Sequence, residues 1–312
     1  MRETFTRVTG AYDLLTLAYS RVIAVGLGGG AGMVEDLART GVGHFVLIDP
    51  DRIEESNLAT QQTYRRDVGR PKVEALAGRL RDLNPAAEVL RYPCRLDEID
   101  DREFERFAFK QSSAHWPYTR PLILGMTDSF AAQARVNRLS LQFDIASLCA
   151  QVYAEGRGAE VTFTCPGTTP ACHRCILQSR YEAYLVRGFK NDVTSDGAPI
   201  FATTALNALK GFIALALLHH HSHHPRWGGL VARIGNRNLI QLRLDPDLTL
   251  GVFQRVLAGD PQRVLFFDSV WLPQDPVPGC PDCGGTGDLR QARGRLDDTR
   301  QMLPAAEGPE VA

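Results

Sequence analysis

Short apolar runs and helical apolar stripes alternate through the first half of the chain. Residues 22–25 form an apolar run bounded by glycine, which predicts a buried strand. Gly26, Gly28, Gly29 and Gly30 come next, and Met33, Val34, Leu37 and Ala38 then recur at helical spacing. Residues 44–48 predict a second strand, ending in Asp49. After Pro71, the positions Val73, Leu76, Ala77, Leu80 and Leu83 give the buried face of a helix that Asn84-Pro85 ends. Residues 89–92 and 122–126 predict strands, the second leading into a helix just after Asp128. Residues 149–153 and 160–163 predict further strands, and 203–218 a long Ala/Leu-rich helix. Residues 230–234 and 239–244 are read as a hairpin turned at Gly235-Asn236, and 264–267 as a last strand. A short helix is expected at 14–19, a helix fragment and surface loop over 97–120, and a disordered tail over 288–312. No internal repeat is present.

This pattern predicts an α/β, Rossmann-like fold with a largely parallel sheet flanked by helices. Four segments are expected: 1–20 as an N-terminal piece, 21–168 as the nucleotide-binding unit, 169–287 as a C-terminal half tied by metal knuckles, and 288–312 as the tail. The 35 basic and 36 acidic residues nearly cancel, so there is no electrostatic case for nucleic acid or an anionic membrane. The N-terminus has no apolar signal core, and the most apolar stretch, 205–218, is too short and interrupted to span a bilayer. Seven unevenly spaced cysteines do not suit a secreted disulfide framework. A cytoplasmic protein with some thiols committed to metal is the expectation.

The glycine turn between the first strand and helix carries the first chemical signal. Glycines permit a sharp bend and close approach of a phosphate. The unpaired N–H groups at the start of the next helix then face that anion. Asp49 stands where an acid at the end of the next strand accepts hydrogen bonds from a ribose. Taken alone, this motif supports a nucleotide fold, with a plain tight turn as the alternative. The residues after it are less general: Asp51, then Ser56-Asn57-Leu58-Ala59-Thr60-Gln61, then Gly69-Arg70-Pro71-Lys72. A dehydrogenase needs neither the second acid nor the amide run.

Together these stretches resemble the ThiF/MoeB/HesA family, the bacterial relatives of the ubiquitin-activating enzymes. Its pattern is G-x-G-G-x-G, D-x-D, S-N-L-x-R-Q and G-x-x-K. The resemblance implies an adenylyltransferase that binds ATP and Mg²⁺ and activates the C-terminal carboxylate of a ubiquitin-like or sulfur-carrier protein, as a homodimer. Gly26, Gly28, Gly29, Asp49, Asp51, Asn57, Lys72 and Asp128 are the implied nucleotide-binding residues, and Lys72, Asp128, Asn57 and Gln61 the implied catalytic ones. Lys72 would meet phosphate oxygens as a point charge, and Asp128 would hold Mg²⁺. The plainer readings are a solvated lysine and an N-cap aspartate.

Two departures stand out. Ala31 occupies the place of the third loop glycine, between Gly30 and Gly32. Thr60 replaces the arginine that, in the family, contacts the triphosphate. Arg65, Arg66, or an N-terminal Arg2 or Arg7 from a partner subunit are candidate substitutes. The Thr60 change favours the alternative function, a nucleotide-binding but inactive subunit or scaffold. The family's thioester cysteine has no counterpart in the stretch around Thr194 and Ser195.

Cys172-x2-Cys175 and Cys280-x2-Cys283 are two knuckles able to supply the four soft ligands of a tetrahedral zinc site. The resemblance points the same way, and redox pairs or idle thiols are the alternative. Four thiolates leave no open position, so the expected Zn²⁺ is structural. Cys94, Cys149 and Cys165 are expected as buried structural thiols. The run His219, His220, His221, His223 and His224 is read as a polar helix end rather than a metal site.

Overall fold

The computed structural model describes residues 3–110, 121–188, 197–245, 248 and 268–302. In chain order, the helices are α1 (Leu14–Tyr19), α2 (Ala31–Arg39), α3 (Lys72–Leu83), α4 (Asp101–Ala108), α5 (Phe130–Phe143), α6 (His173–Ile176), α7 (Gln178–Leu185), α8 (Ile200–Leu218) and α9 (Leu230–Ile234). The strands are β1 (Arg21–Val25), β2 (His44–Ile48), β3 (Glu88–Tyr92), β4 (Leu122–Gly125), β5 (Ala146–Tyr153), β6 (Gly158–Thr164), β7 (Leu239–Arg243) and β8 (Asp268–Leu272). They form one sheet in the order β3-β2-β1-β4-β5-β6-β7-β8. The pairs from β3 to β5 are parallel, and those from β5 to β8 are antiparallel.

The parallel strands are apolar on both faces because helices cover both. Along β1, Val22 and Ala24 enter one core with Met33, Leu76 and Ala214 of α2, α3 and α8. Ile23 and Val25 enter the other, with Phe104 and Phe107 of α4 and Val136 and Leu139 of α5. This period-two division is what a continuous apolar run means in a doubly covered sheet. The chain moves outward from β1 in opposite directions, through β2 and β3 on one side and β4 and β5 on the other. The carboxyl ends of β1 and β4 therefore border the crevice where such sheets bind ligands.

The predicted hairpin is a misreading. Residues 230–234 form α9, entered at Gly229 (φ 69°) and left at Gly235 (φ 65°). The two neighbours of β7 are instead β6 and β8, so no edge is free for residues 230–234. A five-residue apolar run does not by itself distinguish strand from helix. The expected strand at 264–267 lies outside the described residues; the strand that is described begins at Asp268. The tail expectation fails over 288–302. Leu289 and Ala292 are buried against the cysteine cluster, and Thr299 is fully buried. Thr299 accepts from the Arg135 and Arg138 guanidiniums of α5 and donates through its N–H and hydroxyl to Asp101. α8 is longer than the 205–218 stretch suggested: its nineteen residues reach bilayer-spanning length and apolarity. One side of it is packed into the core.

Candidate nucleotide site and metal centre

The glycine loop is built by close approach. Gly26 has φ +84°, and a Cβ there would lie 2.7 Å from the carbonyl oxygen of Met126. Only glycine lets the end of β1 pass this near the end of β4. Asp49 is 4% exposed at the end of β2 and fixes the loop. One carboxylate oxygen accepts the Leu27 N–H at 2.6 Å, and the other accepts the Asp51 N–H at 2.8 Å. Burial raises its pKa, while Lys72 and the two backbone N–H groups oppose the rise.

Lys72 sits at the start of α3 and donates to Asp51 at 2.8 Å, with its side chain 10% exposed and that of Asp51 61% exposed. The solvated-lysine reading therefore does not hold. Asn57 caps the 3-10 turn Glu55–Ala59, its side-chain oxygen accepting the Glu54 N–H at 3.0 Å. The Gln61 amide lies over the loop, 3.3 Å from where a Cβ on Gly28 would stand. Asp128 is exposed beyond the end of β4. It is not the N-cap of α5, because Ser129 takes that role, its hydroxyl accepting from the Ala132 N–H. The fold thus gathers Gly26, Gly28, Gly29, Asp49, Asp51, Asn57, Gln61, Lys72 and Asp128 around the carboxyl edges of β1, β2 and β4.

Thr60 closes the same turn. Its methyl group is 2.7 Å from the Cβ position of Gly197, and Thr203 of α8 donates to its carbonyl at 3.5 Å. Of the candidate substitutes, Arg65 is ion-paired to Glu55 at 2.6 Å and Arg66 stacks over Tyr64. Arg7 lies in the turn Glu3–Val8, whose Phe5 packs by Gly41 beyond the far end of α2. Arg2 lies outside the described residues.

Several residues at the site escaped the sequence reading. Arg79 joins Glu35 of α2 at 2.6 Å and Asp67 at 3.2 Å, and donates to the Gln62 carbonyl, so it ties the polar loop to α2 and α3. Asn207 of α8 donates to the Gly29 carbonyl at 2.8 Å, and Thr203 lies 3.1 Å from the Cβ position of Gly29. The available signal was a polar residue recurring inside an apolar helix. A separate cavity of about 190 Å³ opens at the amino edges of β4 and β5, lined by Leu122, Asp144, Ala146, Cys165 and His220. None of the glycine-loop residues lines it.

The four knuckle cysteines converge. Cys172, Cys175, Cys280 and Cys283 are buried, and their sulfurs lie within 4.8 Å of one another. Sulfur–sulfur separations are 3.8 Å (172–175), 3.9 Å (172–280) and 3.5 Å (175–283). Four Zn–S bonds of about 2.3 Å in a tetrahedron require about 3.8 Å, so the residues fit zinc. Asp282 of the second knuckle accepts from Arg174 of the first at 3.0 Å and from Asn137 of α5 at 2.8 Å. Burial holds its pKa up against the pull of Arg174 and Arg138. Cys149 and Cys165 are buried as expected, and burial pushes the Cys149 thiol up to about 12. Cys94 is only partly buried.

The histidine run is not simply a polar end. His219 is fully buried, donating from Nδ1 to the Leu215 carbonyl at 2.7 Å and accepting the Asp13 N–H at Nε2. It stacks on Trp227 and so clamps α1 to α8. Among the described residues, only the four cysteines gather as a metal-binding group.

Three comparisons with known proteins bear on this site. The family model described as the ThiF family matches residues 2–232. A sulfur carrier protein adenylyltransferase of Thermus thermophilus is 31% identical over 166 residues, 52% of this chain and 56% of that protein. A SAMP-activating enzyme E1 of Haloferax volcanii is 43% identical over 89 residues, 28% of this chain and 33% of that protein. The chain therefore spans about a third to a half of the length of these curated relatives. The solved structure of E. coli MccB with succinimide superposes with a TM-score of 0.56 at 18% identity, covering 87% of this chain and 69% of that one. That likeness is one of fold.

Proposed function

The chain belongs to the ThiF family, and from that premise we propose that it adenylates the C-terminal carboxylate of a ubiquitin-like or sulfur-carrier protein. The observation that supports this is the gathering of glycine loop, Asp49, Asp51–Lys72 pair, Asn57, Gln61 and Asp128 at one sheet edge. The names of the curated relatives point to the same reaction class.

In this reading the Gly26–Gly30 loop takes the phosphates and Asp49 the ribose. Asp49 already accepts two backbone N–H groups, so its remaining lone pairs are the ones offered to the sugar. Lys72 leaves Asp51 for the phosphate oxygens, and Asn57 and Gln61 orient the reacting groups over Gly28. The exposed Asp128, with phosphate and water, gives the oxygen donor set that Mg²⁺ takes; the ion would neutralise charge on the phosphates. The carrier carboxylate oxygen attacks the α-phosphorus, and the bond to pyrophosphate breaks. That carboxylate is ionised at pH 7, so no general base is needed. Catalysis then consists of positioning and charge neutralisation. The four cysteines would hold zinc, which would tie the segment around Cys280 and Cys283 to α5 and α6.

A homodimer belongs to the same proposal. Arg7, in the turn whose Phe5 packs by Gly41 past the end of α2, would serve a second subunit's site. The competing reading, an inactive partner subunit, rests on Thr60 alone. ATP–pyrophosphate exchange tests the proposal. Exchange should appear only with a carrier bearing a free C-terminal carboxylate. Its absence with every ubiquitin-like and sulfur-carrier candidate, while ATP still binds, would favour the inactive subunit.

A further inference from the structure

Lys210 is a buried amine that the reaction as described does not use. It lies in α8, is 3% exposed, and makes no hydrogen bond or ion pair among the described residues. An uncompensated buried ammonium is costly, so such a residue calls for a reason. Its position supplies one. Thr203, Asn207 and Lys210 have the i, i+4, i+7 spacing of a single helix face. The first two touch Gly29 of the glycine loop. The side-chain oxygen of Asn207, one helical turn nearer the loop, is buried without a partner. Helical side chains lean toward the helix N-terminus, which for α8 is the end at the loop. A lysine's four-carbon stem spans about one helical turn, about 5.4 Å.

We propose that Lys210, reaching up from beneath the glycine loop, supplies the bound nucleotide's phosphates with the positive charge that Thr60 does not. The inference rests on the nucleotide reading of the loop and adds to it a phosphate-facing cation from α8. The ionisable groups on the elements packed most extensively against α8 are Glu35, Asp36 and Arg39 of α2, Cys149 and Tyr153 of β5, and Arg233 of α9. None of them shifts the amine; burial alone lowers its pKa to about 7. The empty site therefore holds a largely neutral amine above pH 7. An arriving triphosphate draws a proton onto it, which comes from solvent, and the ammonium then donates to phosphate oxygen.

The test is calorimetric titration of the intact protein with ATP and Mg²⁺ at pH 8, in two buffers of different ionisation enthalpy. The wild type should take up close to one proton per site, and its affinity should fall toward tenfold per pH unit between pH 8 and 9. Lys210→Met, similar in length and uncharged, should lose both the uptake and the pH slope and bind about ten- to a hundredfold more weakly at pH 7. A buried lysine with a purely structural role would move the melting temperature only. Equal ATP affinity and equal proton exchange in wild type and Lys210→Met overturn the proposal, as does wild-type binding without proton uptake. If the wild type binds no ATP at all, the nucleotide reading itself has failed, which is a distinct result.

Discussion

Replacing Asp282 by asparagine should destabilise the protein by an amount that the surroundings of the carboxylate set. Its side chain is fully buried, and it ion-pairs with Arg174, itself 6% exposed, at 3.0 Å. The two residues hold the same place in their knuckles, Cys172-His173-Arg174-Cys175 and Cys280-Pro281-Asp282-Cys283. The pair therefore crosses between the knuckles beside the four clustered cysteines. Burial raises the Asp282 pKa in spite of Arg174, so the pair as a whole contributes little net stability. Breaking it is different, because the buried Arg174 guanidinium then loses the carboxylate it pairs with, at about 3–5 kcal/mol. For a domain of this size that is roughly a 5–15 °C fall in melting temperature. Asparagine keeps the shape and can still accept from Asn137, so the destabilisation reports charge rather than volume. Arg174→Met should cost a similar amount. The double variant should be destabilised by clearly less than the sum, because neither charge is then stranded. Zinc-loaded protein should be monitored by thermal and denaturant unfolding, with metal content checked before and after. A cost below about 1 kcal/mol for Asp282→Asn, or strict additivity in the double variant, would refute the reasoning.

The same geometry makes three further predictions. Protein prepared without chelator should carry about one zinc per chain, and Cys283→Ser should remove it and lower the melting temperature; metal analysis finding none in the wild type rejects the assignment. If the absence of an arginine at position 60 limits the reaction, Thr60→Arg should raise pyrophosphate exchange, up to about 10³-fold on the scale of other transition-state interactions, with little change in ATP affinity. Unchanged exchange would mean that another cation has taken over. Lys210 also makes a pH prediction for the nucleotide-free protein. Its folded pKa of about 7 lies below the ordinary 10.5. The unfolded chain therefore binds more protons between those values. Stability should rise with pH across that window, by at most about 1.4 kcal/mol per unit, and the rise should vanish in Lys210→Met.

The parallel half of the fold was legible because each β-turn-α step announces itself locally. The run 22–25, its glycines and the stripe from Met33 to Ala38 are separate signals that agree. The residues proposed for the nucleotide stand out in the sequence for the same reason, since Asp49, Asp51, Asn57 and Lys72 all lie within one continuous stretch. The features that escaped depend on meetings between distant segments. Residues 230–234 have no period long enough to separate helix from strand, and the two neighbours of β7 decide the outcome. The segment 288–302 reads as polar because its ordering comes from Thr299 meeting Arg135, Arg138 and Asp101, each polar itself. The capping role that Asp128 leaves to Ser129 turns on a one-residue difference in where α5 begins. Lys210 was hidden because a single lysine in an apolar helix does not show which side it faces until Asn207 is seen on Gly29.

The most direct test of adenylation traces the carboxylate oxygens. A carrier protein labelled with ¹⁸O in both oxygens of its C-terminal carboxylate would be incubated with the protein, ATP, Mg²⁺ and hydroxylamine. If that carboxylate attacks the α-phosphorus, one labelled oxygen becomes the bridge of the acyl-adenylate. Hydroxylamine then attacks the carbonyl carbon and the bridge leaves with AMP. Mass spectrometry should find one ¹⁸O in AMP, none in pyrophosphate, and one retained in the carrier hydroxamate. AMP formed without label, or ATP left unconsumed with every carrier tried, would contradict the account.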